Sequence, residues 1–392
     1  MRIALDYTAG ASHWPGVGRY GRELVRALVR REDCPELVLF EHGRDPALPA
    51  AALGLEGQVA SDRVTRVRLG ASRRLVALGA RLGGLVGSHG LGGVGPVDLV
   101  HHALPGMLPA RGRQPHTAPL FELSVAPPGS AALAADERTA RSLAGMTRVV
   151  CGSVAGAFQA ARRLEPFGLD PWRLRAVTTG ADHWLRDAEP LAVDVLQALG
   201  PPRVLALGAV ARQRRTVELA AGFERLCDRL PAGERPELVL VGRPGDAADD
   251  LRAWLASSPV ADRVTWIADP VEGDLPALVA GTTLLAHLSA GELSPITPLE
   301  ALHFGAAVVA SDLPAFEVEL DAEQRLAPEV EQDPERLADE LARGLERGLD
   351  AEARAVRRGL ASFHSWDACA EDHLRVWHEA VVDPELELED GA

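Results

Sequence analysis

The sequence predicts an α/β protein with two domains, each built on a parallel sheet that is covered by helices on both faces. Its 392 residues exceed the usual size of one domain and suffice for two separate cores. Short apolar runs, such as Arg148–Cys151 and Arg203–Leu207, alternate with longer segments of helical apolar spacing. Such runs, separated by helices, are typical of parallel sheets buried on both faces. We therefore expect two Rossmann-like domains.

The first domain opens with a predicted strand at Arg2–Asp6, a loop containing glycine and proline, and an amphipathic helix. Leu24, Val25, Leu28 and Val29 form the apolar stripe of that helix. A helical stretch is predicted from Ser72 onward. The remaining elements of this domain are three strands and one helix, predicted at Glu36–Phe40, Arg63–Leu69, Asp98–His101 and 131–144.

A domain boundary is predicted between Asp182 and Pro201, where Asp, Glu and Pro accumulate before a new strand–helix series begins at Arg203. The domains are placed at 1–185 and 186–362. A last helix is predicted at Trp366–Val382, followed by an acidic tail, 384–392, that we expect to be disordered. The further strands of the second domain are predicted at Glu237–Val241, Arg263–Ile267, Thr283–Ala286 and Ala307–Ala310.

The composition excludes several classes of function. The chain has no lysine, so all 41 of its basic residues are arginine. Neither a pyridoxal Schiff base nor a Gly-x-x-x-x-Gly-Lys-Ser/Thr phosphate loop can form without a lysine amine. The net charge of −15 argues against nonspecific nucleic-acid binding. Arginine nevertheless outnumbers acidic residues before residue 185. This excess suits binding to a phosphorylated lipid or an acidic membrane surface. The alternative is that these arginines are scattered over the solvated surface and bind no partner.

Cellular location is predicted from what the sequence lacks. The four cysteines contain no Cys-x-x-Cys pair, which suggests neither a disulfide framework nor a thiolate zinc site. No uncharged apolar run of membrane-spanning length and no secretory leader is present. These features predict a cytoplasmic protein, with peripheral contact at the inner membrane face left open. A membrane-surface role is one interpretation of the amphipathic segment Arg73–Val86, and an ordinary helix covering the first sheet is the favoured one.

A glycine motif in the first loop suggests a dinucleotide site, which we reject. Gly16–Gly21 matches Gly-x-Gly-x-x-Gly, and Glu41 ends the second strand where a ribose would be held. The glycines should follow the first strand at once, yet Tyr7–Pro15 intervene, which is too long for the required tight turn. A glycine turn at a helix start still offers backbone amides to an anionic ligand.

Two glutamates eight positions apart carry the main candidate site. In Gly291–Leu302, Glu292 is expected in a loop and Glu300 in the following helix, both at the carboxyl edge of the second sheet. Carboxylates accept hydrogen bonds from the vicinal hydroxyls of sugars and ribose. This chemistry favours a hydroxyl-rich ligand.

The segment Gly291–Pro314 closely resembles the Glu-x7-Glu motif and following strand of retaining glycosyltransferase family 4, which has the GT-B fold. Further resemblances follow in the family's order: Gly16–Tyr20 is similar to its first loop and Thr179–Asp182 to its Asn-Gly-Val-Asp motif. Phe363–Trp366 resembles the opening of its last helix, which returns to the first domain. The resemblance implies that the helix at 363–383 packs on the first domain.

The resemblance also implies a donor site for a nucleotide-diphosphate sugar. Glu300 would hold ribose, Glu292 the donor sugar, and Arg214, with Arg215 as substitute, the diphosphate. Neither a metal nor another cofactor is expected, because a guanidinium can neutralise the phosphates. The acceptor, a glycan or lipid-linked sugar, would meet the first domain, with retention and a role in surface polysaccharide or glycolipid synthesis. The remaining implied residues are Ser294, Ile296, Thr297 and Gly208 for the donor, and Gly16, Val17, Gly18, Arg19 and Glu122 for the acceptor loop.

Three departures from the family pattern bear on activity. Phe121 stands where the family has histidine, Ala209 where an arginine is frequent, and Pro295 within the usual Gly-Phe-Gly. Pro295 has no amide hydrogen to offer a ligand. A catalytically impaired scaffold that binds a nucleotide or a protein partner is therefore the alternative hypothesis, and epimerisation or phosphorolysis on the same fold also stays open.

Overall fold

The computed structural model describes residues 1–11, 16–42, 49–69, 94–102, 114–123 and 130–383. The chain divides into two compact units, Met1–Thr178 together with the chain from Trp366 onward, and Thr179–Ser365. The division falls at Thr178, somewhat before the predicted boundary at residue 185. The segment Arg73–Val86 is not among the described residues, nor is the tail 384–392.

The first unit contains a fully parallel sheet of seven strands within the described ranges, in the order β3-β2-β1-β4-β5-β6-β7. Its strands are β1 Arg2–Asp6, β2 Glu36–His42, β3 Val64–Leu69, β4 Leu99–His101, β5 His116–Leu120, β6 Arg148–Cys151 and β7 Leu174–Ala176. The helices between them are α1 Val17–Arg30, α2 Ala50–Leu53, α3 Gln58–Arg63, α4 Ser130–Leu143 and α5 Val154–Leu164.

The second unit contains a parallel sheet of six strands, in the order β10-β9-β8-β11-β12-β13, counted over the described part of the chain. Its strands are β8 Arg203–Leu207, β9 Glu237–Val241, β10 Val264–Ile267, β11 Leu284–His287, β12 Ala307–Ser311 and β13 Arg325–Leu326. Its helices are α6 Val193–Ala198, α7 Thr216–Asp228, α8 Ala248–Ser257, α9 Leu275–Ala280, α10 Ile296–His303, α11 Pro328–Glu331, α12 Pro334–Gly348 and α13 Ala351–Ala361.

The strand order of the second sheet reverses between β8 and β11. Strands β9 and β10 extend from one side of β8, and β12 and β13 extend from β11 on the other. Loops leaving the carboxyl ends of two such strands diverge, so a crevice opens between them where ligands bind in doubly wound folds. Two clusters of buried apolar residues pack the strands of this unit against its helices.

The final helix, α14 Trp366–Val382, packs on α1, β4 and β5 of the first unit, as predicted. The Tyr20 hydroxyl lies 2.6 Å from His373 Nε2 and 3.0 Å from His101 Nε2. His373 Nδ1 donates to the Cys369 carbonyl, so its Nε2 accepts from Tyr20. Burial lowers the pKa of both imidazoles, that of His373 to about 4. A buried chain of hydrogen bonds thus fastens the helix to the first sheet.

No helix in the described ranges combines the length and the apolar character that crossing a membrane requires.

Candidate functional site

Glu292 and Glu300 follow β11 in the second unit, one in the loop and one in the helix, as predicted. Helix α10 begins at Ile296, directly after Pro295, and the Leu299 amide donates to the Pro295 carbonyl at 3.0 Å. Pro298 is tolerated in the first turn because amides there have no partner within the helix. The local sequence therefore ends the loop at Pro295 and sets Glu300 one turn inside the helix.

The carboxylate of Glu292 is held between two side chains. Its Oε2 lies 3.0 Å from His287 Nε2, and its Oε1 forms an ion pair with Arg214. Burial, reinforced by the charge of Arg214, lowers the pKa of His287 well below its usual value, so the imidazole is neutral. The pair with Arg214 brings together the loops that follow the adjacent strands β8 and β11.

Backbone contacts fix the same two loops. Arg214 ends a short turn, Arg212–Arg214, and the Ala290 amide donates to the Gln213 carbonyl at 2.9 Å. The Arg214 side chain keeps 27% of its surface exposed. A cation within reach of solvent therefore lies at the edge of the sheet where the strand order reverses.

The backbone at Gly208 and Ala209 is exposed beside Arg214. Gly208 has φ 138°, and a Cβ built on it would lie 3.5 Å from Arg214 Nε. A small cavity is lined by this loop, Arg214 and His287. The Gly208 amide donates to the Val241 carbonyl, so the Ala209 amide is the candidate donor to an anionic group beside the guanidinium.

Gly242, at the end of β9, is packed against that loop. Its φ is 154°, and an added Cβ would lie 1.8 Å from the Gly208 carbonyl oxygen. We expect Gly242→Ala to lower the free energy of unfolding by about 1–3 kcal/mol, because the backbone of the 208–210 loop must move. Denaturant unfolding measures this effect. Gly233→Ala is the matched control, since a Cβ there meets nothing within 4 Å, and equal stability of the two variants would contradict the expectation.

Glu300 is more enclosed than the sequence predicts. Its Oε1 lies 3.3 Å from His183 Nε2, and each of these side chains is only 1% exposed. His183 begins a short turn, His183–Arg186, directly after the Thr179–Asp182 segment. A ribose hydroxyl can reach the Glu300 carboxylate only when the atoms covering it move.

Arg215 has a different environment from Arg214. It adopts left-handed backbone angles, φ 46°, and its guanidinium forms an ion pair with Glu331. Burial raises the pKa of Glu331, although a Ser311 hydrogen bond and Arg215 oppose the shift. Removing Arg215 would leave a buried carboxylate, so the pair is part of the structure of this unit. Arg215 is therefore a weaker phosphate-binding candidate than Arg214.

The other predicted donor residues lie around the start of α10. Ser294 is buried, and its hydroxyl is 3.0 Å from the Thr179 hydroxyl. Ile296 and Thr297 are half-buried in the first helical turn. This places the residues in the neighbourhood that the sequence predicted, with Ser294 already hydrogen-bonded inside the protein.

The predicted acceptor loop lies in the first unit at the start of α1. Gly16 is exposed with φ 66°, Val17 and Arg19 are half-buried, and Gly18 is buried. Glu122, after β5, is exposed.

The first unit also explains two sequence observations. Phe121 packs edge-on against Tyr20, with ring centroids 4.8 Å apart. Glu41 is paired with Arg66, whose Nε donates to it at 2.9 Å. Its carboxylate is thus occupied within the sheet, in agreement with the rejection of a dinucleotide site.

Sequence reasoning missed His287 and His183, the imidazoles beside the two glutamates. The available signal was a histidine at the end of an apolar strand, Leu284–His287, because a buried imidazole needs a polar partner. Over the described ranges, no group of three or more His, Cys, Asp or Glu side chains is arranged to hold a metal ion.

Residues 201–347, which include β8, β11 and both glutamates, match the family model described as Glycosyl transferases group 1. The second unit carries a group 1 glycosyltransferase domain. No curated protein matches the sequence.

Solved structures resemble both units of this chain. Sucrose-phosphate synthase from Thermosynechococcus elongatus matches with a TM-score of 0.73 and 18% identity, over 97% of this chain and 99% of that chain. Anabaena HepE in complex with UDP-glucose matches with a TM-score of 0.65 and 15% identity, over 99% and 100%. WaaG, a glycosyltransferase involved in lipopolysaccharide biosynthesis, matches with a TM-score of 0.67 and 15% identity, over 96% and 99%. The fold is GT-B, as predicted.

Proposed function

We propose that this protein transfers a sugar from a nucleotide-diphosphate donor to a glycan or lipid-linked acceptor, with retention of anomeric configuration. The observation that carries the proposal is the grouping of the exposed Gly208–Ala209 backbone, Arg214 and Glu292 where the strand order reverses. A cation and a peptide amide suit a diphosphate, and a carboxylate beside them suits sugar hydroxyls. Anabaena HepE, similar in fold, was solved with UDP and with UDP-glucose.

Each residue then has a task in the transfer. Arg214 and the Ala209 amide stabilise the negative charge that develops as the nucleotide diphosphate leaves, since the Gly208 and Val210 amides already donate to backbone carbonyls. Glu292 accepts hydrogen bonds from the donor sugar. Glu300 accepts them from the ribose once the atoms that enclose its carboxylate move. The arginine charge replaces a metal in this scheme, and no catalytic base is assigned.

The acceptor side of the proposal rests on the first unit. The loop Gly16–Arg19 and Glu122 are its candidate contacts, and the arginine excess of the first half suits a phosphorylated lipid acceptor or peripheral contact at an acidic membrane face. A cytoplasmic location and a role in surface polysaccharide or glycolipid synthesis belong to the same proposal.

Binding without transfer is the competing function. One feature favours it: Pro295 offers no amide hydrogen to a ligand. Each hydrogen bond lost to a developing charge costs on the order of 3 kcal/mol, or about 100-fold in rate. A nucleotide that binds while its sugar is not transferred would support this alternative.

A thermal-shift panel of UDP, GDP and ADP tests nucleotide binding. We expect one of the three to stabilise the wild type, by about 2.7 kcal/mol at a hundred times its dissociation constant. Glu300→Ala should abolish the shift, because the ribose loses its acceptor, and Glu300→Gln should weaken it while preserving the packing. Glu329→Ala, at an exposed position of α11, is the control and should respond as the wild type does. A wild type that responds to none of the nucleotides would contradict the proposed function.

A further inference from the structure

His287 is a buried polar residue that the mechanism above does not use. It ends β11, its residue surface is 2% exposed, and its ring lies 5.7 Å from the ring of Phe316. The strand before it is wholly apolar, Leu284–Ala286. Burying an imidazole among apolar side chains costs free energy unless a polar partner compensates.

The partner of His287 is Glu292. His287 Nε2 lies 3.0 Å from Glu292 Oε2, and a carboxylate can only accept a hydrogen bond. The proton of the neutral ring must therefore be on Nε2. An imidazole donor fixes the carboxylate without neutralising it, so Glu292 remains an acceptor for hydroxyl groups.

One of the two contacts of Glu292 is lost when the donor binds, and the other is kept. Its Oε1 pairs with Arg214, whose side chain is 27% exposed, whereas Oε2 faces a histidine that is almost completely buried. A diphosphate that binds at the 208–210 loop competes with Glu292 for the guanidinium. The contact with His287 does not involve the donor and stays in place.

We propose that His287 is a positioning residue, which holds Glu292 through its Nε2–H so that Oε1 faces the donor sugar when Arg214 turns to the diphosphate. This inference rests on the proposed function. In this scheme β11, through His287, orients the Glu292 carboxylate. Arg214 pairs with that carboxylate before the donor binds and with the diphosphate afterwards.

Two substitutions of His287 separate positioning from packing. His287→Leu fills the space without a donor, and His287→Gln offers an amide N–H at similar reach. The assays use the nucleotide among UDP, GDP and ADP that stabilises the wild type, and its sugar conjugates. We expect the dissociation constant of His287→Leu for that nucleotide to lie within about twofold of the wild-type value and its kcat to fall about tenfold. His287→Gln should recover most of the lost kcat. Equal kcat for His287→Leu and wild type, or equal losses in both variants, would overturn the assignment.

A spectroscopic readout is independent of activity. In protein with ¹⁵N-labelled histidine, the signal that disappears in His287→Leu should be that of a neutral ring protonated at Nε2, and it should shift in Glu292→Ala. A ring protonated at Nδ1, or an imidazolium, would overturn the proposal. A wild type that binds no nucleotide defeats the proposed function itself, whereas normal transfer by His287→Leu defeats only the role of His287.

Discussion

Arg214→Ala is expected to lower kcat about 100- to 1,000-fold, because it removes the cation placed to stabilise the departing nucleotide diphosphate. The substitution removes the ion pair of Glu292 but leaves its hydrogen bond with His287, which still holds the carboxylate in place. Arg214→Lys should recover part of the rate, since an ammonium keeps the charge but loses the fixed fork of the guanidinium. Steady-state release of the nucleotide diphosphate from the donor measures the effect.

The neighbouring Arg212 is the matched control for this prediction. Its guanidinium is exposed and pairs with Asp250 on α8, away from Glu292. Arg212→Ala should therefore keep kcat within about twofold. An Arg214→Ala enzyme with wild-type kcat, or equal losses in the two variants, would contradict the role of Arg214.

Acidification is expected to destabilise the protein strongly between about pH 6.5 and pH 5. Burial lowers the pKa of six histidines, His101, His102, His287, His303, His364 and His373, with His102 near 3 and His373 near 4. These rings stay neutral in the folded state but take up protons when the chain unfolds. Stability is therefore fully present above the unfolded pKa and falls as the pH drops below it, by about 1.4 kcal/mol per pH unit for each such histidine.

Two buried carboxyls act in the opposite sense. Burial raises the pKa of Glu319 and Glu331, so their protonation favours the folded state as the pH falls. These two carboxyls take up protons in the folded state at a higher pH than in the unfolded chain, where carboxyls titrate near pH 4, so they offset part of the effect of the six histidines.

Denaturant unfolding at several pH values measures the slope of this acid effect. His102→Gln should reduce the pH slope of the free energy of unfolding by the contribution of one histidine, about 1.4 kcal/mol per pH unit. This holds whatever the substitution does to stability at neutral pH. A free energy of unfolding that is constant from pH 8 to pH 5 would contradict the neutral state of these rings.

Most strands of the fold could be predicted because their apolar runs are continuous. β1, β6, β8 and β9 begin and end at the predicted residues, and α14 does as well. β5 and β7 escaped prediction, since the first contains His116, Thr117 and Pro119 and the second has three residues. β13, with two residues, carries no periodic signal at all.

The site was predictable in its carboxylates but not in their surroundings. The spacing of Glu292 and Glu300 placed one in the loop and the other in the helix, as observed. Their imidazole partners could not be predicted, because His183 lies far from Glu300 in sequence and the bond of His287 depends on the path of the loop. The pairing of Arg215 with Glu331 likewise depends on tertiary structure.

In the proposed function, the second unit binds an activated sugar at the junction of β8 and β11. A crystal structure with the stabilising nucleoside diphosphate bound tests it most directly. We predict phosphate oxygens against Arg214 and the 208–210 loop, with ribose hydroxyls on Glu300 and His183 displaced from its present contact. A nucleotide bound away from this edge, with the Arg214–Glu292 and His183–Glu300 contacts unchanged, would contradict the account.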